Sequence, residues 1–446
     1  MAARPLLTLS LSLALLPLAG PSRALAVAVT MWTGWSGATV YAAPAPSALI
    51  LARLPDNLPV RVTPEGSAWG RIRLWNAVPA WIPLAGLQPR PIVRPPLQIA
   101  PVALHPAGAH GAMSLSATGR TLVAVNVRAT PTTLTQRRTT LARGAAVRVD
   151  AWATDGAGSA WYHIVAPARG WLWGAAVAFD AGRPADGSAL LAPLRGKGMW
   201  FTYPLLTSSP VTAIIAAAQA AGLTHLYVEV GRSRDGFYGA DGLASLLPAA
   251  HRAGISVIAW VYPFLDDLPF DVAMSVAAAN YVAPSGDRPD GLLADVEEKL
   301  DDGTMRAYSQ IMRAMLGPDR LMAVATFPPQ SSPGKTYPYA IVARSWNVIV
   351  PMDYWHLHHR TYGAGEVYRF VRDSVRLIRA RTTPDQPVEV LGQMFDVFES
   401  GVDSPSAAEV AACGRAARTT GALGVSFFEW NHATPEEWAA LAGLPA

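Results

Sequence analysis

The chain has a single cysteine, Cys413, in 446 residues. A disulfide framework and a cysteine-based zinc site within one chain are therefore excluded. Charge is scarce as well: Asp, Glu, Lys and Arg make up 15% of the residues, where about 25% is usual for soluble proteins. Lysine is almost absent, at Lys197, Lys299 and Lys335 alone. Basic and acidic residues nearly balance, 36 against 32, which leaves no electrostatic footprint for nucleic acid. Past the N-terminus, Gly, Pro, Arg or Asp breaks every apolar run well before the roughly 20 residues that a membrane span needs. Gly-x-Ser-x-Gly, a Walker loop, His-Glu-x-x-His and a calcium loop are all missing, so serine hydrolase, NTPase and zincin chemistry lack support.

Apolar residues, in contrast, make up 51% of the chain, which excludes disorder as its overall class. The length suits two or three domains. Residues 1–26 read as an export signal: Arg4 is a short positive region, Leu6 to Leu18 is apolar but too short to span, and Ala24-Leu25-Ala26 fits small-x-small cleavage. The expected location is extracellular or in the cell envelope, with no stable membrane insertion once the signal is removed.

Two segments look like copies of one β module, residues 29–87 and 121–180. Val60-Arg61-Val62 matches Val147-Arg148-Val149, and Ser67-Ala68-Trp69 matches Ser159-Ala160-Trp161. Ala80-Trp81-Ile82 parallels Gly170-Trp171-Leu172. Short β-branched and aromatic runs separated by Gly, Pro, Asn and Asp are strand-and-turn chemistry. Residues 88–120, rich in Pro, Ala and Gly, read as a spacer, and residues 181–195 as a second linker. The copy at 121–180 resembles bacterial SH3-like domains through Asn126-Val127-Arg128-Ala129-x-Pro131, Gly144-x-x-Val147-x-Val149 and the hairpin at Ser159–Ile164 and Gly170–Leu172. The copy at 29–87 matches that pattern more weakly.

From residue 196 to 446 the pattern becomes strand, helix, strand, helix. Strands are expected at Gly198–Phe201, His225–Val230, Ser256–Val261, Gly291–Val296, Leu321–Thr326, Asn347–Met352, Val388–Gln393 and Gly424–Phe428. Near-continuous apolar runs suit parallel strands buried on both faces. Eight strands alternating with eight helices is the (β/α)8, or TIM, barrel pattern. An open doubly wound sheet is the competing arrangement, but no Gly-rich phosphate loop follows its first strand. The expected fold is thus multidomain: two small all-β SH3-like barrels followed by a (β/α)8 barrel.

Barrel active sites lie at the carboxyl ends of the strands. That rule selects Trp200 and Tyr203, Glu229 and Arg232, Trp260 and Tyr262, Asp295 and Glu297, Thr326, Asp353, Tyr354 and Trp355, Gln393, then Glu429 and Trp430. The sharpest element is Asp290-Gly-Leu-Leu-Ala-Asp295-Val-Glu297. Alternation puts Leu293, Asp295 and Glu297 on one face. Two carboxylates stacked there oppose each other's ionisation and keep one protonated, as a general acid requires. The plainer alternative is a solvated loop opening at Asp295. Glu229 is either catalytic or an ion-pair partner of Arg232 or Arg234. The tryptophans are either sugar platforms or barrel core. His356-Leu-His358-His359 is short and lacks cysteine company, so it reads as a solvated loop; no metal or other cofactor is expected.

The fourth-strand segment resembles the Asp-Gly-x-Asp-x-Asp-x-Glu signature of chitinase-like glycoside hydrolases. Asp290, Gly291, Asp295 and Glu297 match, and Leu293 replaces the middle aspartate. Met352-Asp353-Tyr354 resembles that family's Met-x-Tyr, and Trp430 stands where it has an eighth-strand Trp. Barrel lysozymes of the Asp-x-Glu type are a second resemblance. The resemblance implies Glu297 as general acid, Asp295 orienting the substrate's acetamido group, and Tyr354 bonding to that group. It implies Asp353 or Glu229 in place of the missing aspartate. Trp200, Tyr203, Trp260, Tyr262, Trp355, Gln393, Glu429 and Trp430 are the candidate substrate contacts. The expected activity is exported hydrolysis of an N-acetylated wall glycan, peptidoglycan or chitin-like. The SH3-like modules are the expected tether to wall peptide or glycan. The alternative, supported by Leu293, is a non-catalytic wall- or carbohydrate-binding protein on a degenerate barrel.

Overall fold

The computed structural model describes residues 28–33, 38–48, 50–54, 59–73, 79–90, 111–180, 187–203, 205, 209–358, 362–395 and 404–445. The expected signal, residues 1–26, and most of the expected spacer lie outside the described residues. Contacts divide the chain into two units, residues 1–92 and 93–446. Among the described residues, no helix is long and apolar enough to cross a membrane.

The first unit is a seven-stranded antiparallel sheet: β1 (Val29–Thr33), β2 (Ala38–Tyr41), β3 (Ile50–Leu54), β4 (Pro59–Glu65), β5 (Trp69–Arg73), β6 (Pro79–Pro83) and β7 (Leu87–Gln88). The second unit opens with β8 (Met113–Thr121), β9 (Val125–Arg128), β10 (Arg137–Leu141), β11 (Ala146–Thr154), β12 (Ala160–Ala166), β13 (Gly170–Trp173) and β14 (Val177–Phe179). The two sheets have the same spatial order: β3-β2-β6-β5-β4-β1-β7 and β10-β9-β13-β12-β11-β8-β14. In both, a single-turn 3₁₀ helix links the last two strands, Leu84–Gly86 in one and Gly174–Ala176 in the other. The repeat read from short sequence matches is therefore a repeat of topology.

The barrel strands are β15 (Gly196–Phe201), β16 (His225–Arg232), β18 (Ser256–Tyr262), β19 (Gly291–Asp295), β20 (Met322–Thr326), β21 (Val348–Asp353), β22 (Val390–Gln393) and β23 (Gly424–Phe428). A two-residue strand, β17 (Gly236–Phe237), folds back on β16. The eight pair in parallel and in sequence order, and β15 joins both β16 and β23, which closes the ring. The surrounding helices are α1 (Val211–Ala220), α2 (Ala240–Arg252), α3 (Leu268–Asn280), α4 (Asp302–Leu316), α5 (Ser332–Thr336), α6 (Tyr339–Val342), α7 (Ala364–Arg381), α8 (Ala407–Thr419) and α9 (Pro435–Ala442). Sequence chemistry sets their ends. Asp301 accepts from Thr304 N at 2.9 Å at the start of α4. Ser406 with Glu409, and Thr434 with Glu437, form reciprocal capping boxes. Gly222, Gly254 and Gly421 follow helix ends with φ of 66°, 72° and 63°, the left-handed geometry that a side chain resists.

Strand alternation produces two apolar layers. Leu226, Val228, Leu292, Ala294, Ile349 and Phe427 face the helices. Tyr227, Ile258, Trp260, Leu293, Ala325, Val350 and Leu391 fill the barrel interior. Leu191 and Leu194 belong to that interior cluster, and Leu194 lies against the start of β23. The stretch ahead of β15, expected as linker, therefore plugs the amino end of the barrel. Lys197 of β15 is 3% exposed and donates to the carbonyls of Leu441, Ala442 and Leu444 at 3.2, 3.1 and 2.9 Å, holding the end of α9.

The sheet β8–β14 packs on α4. Gln310 donates to Tyr162 Oη at 2.7 Å and to the Val177 carbonyl at 3.3 Å, and accepts from Phe179 N at 3.1 Å. One continuous apolar cluster runs from Val149, Ile164 and Leu172 into the helix layer.

Candidate active site

The side chains that alternation sends inward converge at the carboxyl ends of the strands. In β19, Leu293 and Asp295 face the interior while Leu292 and Ala294 face the helices. Glu297 follows two residues on. Glu229 shares the inward face of β16 with Tyr227, and Tyr262 shares that of β18 with Trp260. Tyr354 follows inward-facing Met352.

Among the described residues, four carboxyl groups at this mouth are held above their ordinary range chiefly by burial. Asp295 is 6% exposed and pushed well up, by burial first and then by the charge of Glu297. Among the described residues its Oδ1 has no hydrogen-bond partner, and neither has Trp260 Nε1. The indole still lies near enough to oppose the rise, so the two groups face each other without a closed hydrogen bond. Glu297 is raised by burial and then by Glu298. Glu229 is raised by burial; Arg232, the Tyr238 hydroxyl and the Tyr203 backbone oppose the shift. Glu429 is pushed up to about 8 by burial and then by Glu229. Glu229 thus bears on both Asp295 and Glu429, and the four share one field. Arg232 lies 3.6 Å from Glu229 and over the Tyr262 ring at 5.3 Å. Buried acids in mutual repulsion retain protons near neutrality, which makes proton donors of them.

Tyr354 is raised well above its ordinary value by burial, then by Asp295, Glu297 and Glu429. It stays a phenol and so a donor, within reach of the fields of all three acids. Tyr262 is raised by burial, then by Glu297 and Asp295. The mouth therefore brings together Glu229, Asp295, Glu297 and Glu429 with Trp260, Tyr262, Tyr354 and, through Glu229, Tyr203.

Other expected site residues lie elsewhere. Asp353 has the parity of Ile349, not of Met352, so it points into the helix layer; it is fully buried, and its neighbours there include Ser374 and Cys413. It does not replace the missing aspartate. Trp200 is interior core: it stacks on Tyr227 at 4.2 Å and donates to Ser426 Oγ at 2.9 Å. Trp355 is fully buried in the outer cluster. Trp430 packs against Phe201 and Trp438 at 5.7 and 4.8 Å, on the helix side. The Trp200 and Trp355 rings are buried and offer no face to a sugar at the mouth. Gln393 is committed to the loops, accepting from His356 N at 3.0 Å and donating to the Phe395 carbonyl at 2.9 Å. Thr326 has the outward parity of Val324 and lies near Tyr339 of α6; among the described residues its buried hydroxyl has no hydrogen-bond partner. Asp290, at the start of β19, accepts from Val257 N at 2.7 Å and contacts His251 at 3.1 Å, a structural role at the opposite end. His356 pairs with Glu409 at 3.3 Å.

Two residues at the mouth escaped the sequence reading. Tyr238 hydrogen-bonds Glu229, because the β16–β17 hairpin brings it back to Val230. Asp235-Gly236 is the turn signal that announces this return. Tyr337 lies in the field of Asp295 and Glu297; no local pattern marks it.

No protein-family model matches the chain, and no curated protein matches it. Among solved structures, it is similar to a glycoside hydrolase family 18 N-acetylglucosaminidase from Paenibacillus barengoltzii. The identity is 14%, the TM-score 0.43, and the match covers 56% of this chain and 99% of that one. It is also similar to the spore cortex-lytic enzyme SleL of Bacillus cereus, at 13% identity and TM-score 0.43, covering 56% and 75% of the two chains. A class V chitinase from Pseudomonas fluorescens Pf-5 is similar at 13% identity and TM-score 0.39, covering 56% and 100%.

Proposed function

We propose that the barrel is a glycoside hydrolase acting on an N-acetylated glycan. The observation that carries this reading is the pair Asp295, at the carboxyl end of a buried strand, and Glu297 two residues beyond it, with burial raising both carboxyl groups above their ordinary range. In this reading Glu297 gives its proton to the glycosidic oxygen as the bond to the anomeric carbon breaks. The carbonyl oxygen of the neighbouring acetamido group forms the new bond to that carbon, so no protein nucleophile is needed. Asp295 steadies the acetamido N–H as positive charge develops, and the Tyr354 phenol donates to the same group. Water then opens the cyclic intermediate and returns a proton to Glu297.

Leu293 removes the third carboxyl of the pattern, yet Trp260 stands beside it as its cross-strand partner. The indole N–H lies beside Asp295, where the resembling family has a second acid, without a closed hydrogen bond to it. The test is sugar release from N-acetylglucosamine oligomers and from wall glycan. Wild type should release reducing ends and Glu297→Gln should not; equal release by both variants overturns the assignment. The fully buried, apolar Leu293 favours a second reading, a binding protein without hydrolysis. Oligomer binding by the unmodified chain with no cleavage from pH 4 to 9 would establish it.

Export follows, in this proposal, from the apolar Leu6–Leu18 stretch and its Ala-Leu-Ala site. The two β modules, SH3-like by sequence resemblance, are proposed to hold the enzyme at cell-wall material.

A further inference from the structure

The outward face of the β12–β13 ribbon is unusual. Alternation normally places polar side chains on the solvent face of an antiparallel pair. Here Tyr162, Ile164 and Leu172 enter the core, and the opposite face carries Trp161, His163, Trp171 and Trp173. Trp161 pairs with Trp173 across the strands, and His163 with Trp171. Trp161 is covered and donates to Asp155 at 2.9 Å. His163 is held by Asp150 at 2.6 Å and meets the Trp171 ring at 5.2 Å. Trp173 is left 48% exposed. In the first unit Trp69 and Trp81 stand at the registers of Trp161 and Trp171, but Pro83 stands at that of Trp173.

The position of Trp173 is as informative as its exposure. The 3₁₀ turn Gly174–Ala176 follows it directly. Ala175 Cβ lies 3.5 Å from where a side chain on Gly303 would begin. Gly303 is in the first turn of α4, and barrel helices start at the end of the barrel where the preceding strand finishes. The ribbon therefore meets α4 at the mouth end, six residues of chain beyond Glu297, a span of at most about 22 Å. The Gln310 hydrogen bonds and the shared apolar cluster fix this placement.

We infer that Trp171 and Trp173 form a stacking platform for the same glycan strand whose scissile bond lies at the mouth. The second β module thus lengthens the substrate path and is no free-swinging tether. Flat indole faces suit the apolar faces of pyranose rings, and a platform held rigidly pays no ordering entropy on binding. This inference rests on the glycan reading of the mouth.

The experiment uses the full chain with Glu297→Gln to suppress cleavage, and N-acetylglucosamine trimer and octamer as probes. Trp173→Ala should weaken octamer binding three- to tenfold and change trimer binding less than twofold. Trp173→Phe, which keeps an aromatic face, should retain most of the octamer affinity. Unaltered thermal unfolding verifies that each variant folds. Equal affinities for both probes with and without Trp173 overturn the platform, as does an equal loss on trimer and octamer. Displacement of Trp173 contacts by wall stem peptide alone, read from tryptophan fluorescence, also overturns it in favour of a peptide site. A length-dependent loss, together with no cleavage of either probe by the chain that keeps Glu297, supports the platform while sinking the hydrolase reading. Binding of neither probe overturns both.

Discussion

The two ends of the barrel interior differ in how they treat buried polar groups. At the amino end, Glu389 is fully buried and fully engaged, paired with His225 Nε2 at 2.9 Å and accepting from the Tyr227 hydroxyl. His225 is held in turn by Thr224 at 3.0 Å. At the carboxyl end, Asp295 Oδ1 and Trp260 Nε1 are buried too and, among the described residues, have no hydrogen-bond partner. Both ends belong to one packed scaffold that can evidently satisfy a buried carboxylate. An unmet buried polar group costs roughly 1–3 kcal/mol, so the poised groups at the mouth mark where chemistry is expected.

The comparison is most sharply tested by removing proton donation at one end. Glu297→Gln should lower turnover of N-acetylglucosamine oligomers by about 10³-fold with an unchanged melting curve. At the other end the effects should reverse. Glu389→Ala strands His225 and Tyr227 and should destabilise the fold by about 3 kcal/mol in urea unfolding. Turnover per folded molecule should stay near the parent's; a parent-like stability would break the contrast.

Titration gives a smaller effect. Glu429 keeps its proton in the folded chain up to about pH 8, whereas the unfolded chain releases it near the ordinary carboxyl value of about 4.3. Unfolding between those values therefore releases a proton, and rising pH favours the unfolded state across that window. Glu429→Gln should remove that slope and gain stability over the parent at pH 9, with little gain at pH 4. Thermal unfolding at both pH values reads it directly. The smallest effect is expected at Trp430, which lies on the helix side of its strand. Trp430→Phe should change KM less than twofold; a tenfold rise in KM would move the boundary of the mouth.

Much of the architecture was legible because parallel strands buried on both faces leave unbroken apolar runs, as at Leu226–Val230 and Met322–Ala325. The inward face of Asp295 was legible from alternation; Glu297 lies beyond the end of its strand, within range of the Asp295 carboxyl. Alternation also separates Tyr354 from Asp353, once Met352 is taken as the reference. The tryptophans were harder, since a residue near a strand end can turn either way: Trp430 went to the helices and Trp355 into the outer core. Leu191 and Leu194 hid in an Ala-, Gly- and Pro-rich stretch that carries no periodicity. The docking of the second module rests on Gln310 meeting Tyr162 and Phe179, 148 and 131 residues away, a distance at which local pattern is silent.

Lys197 carries a consequence in time. Its ammonium belongs to the first strand of the barrel, but its three carbonyl partners lie 244 to 247 residues later. During synthesis at about 5–20 residues per second, that charge waits many seconds for the last helix to be made. The ring therefore closes last to first, and a nascent barrel missing only its final turn still has a lysine with nothing to hold.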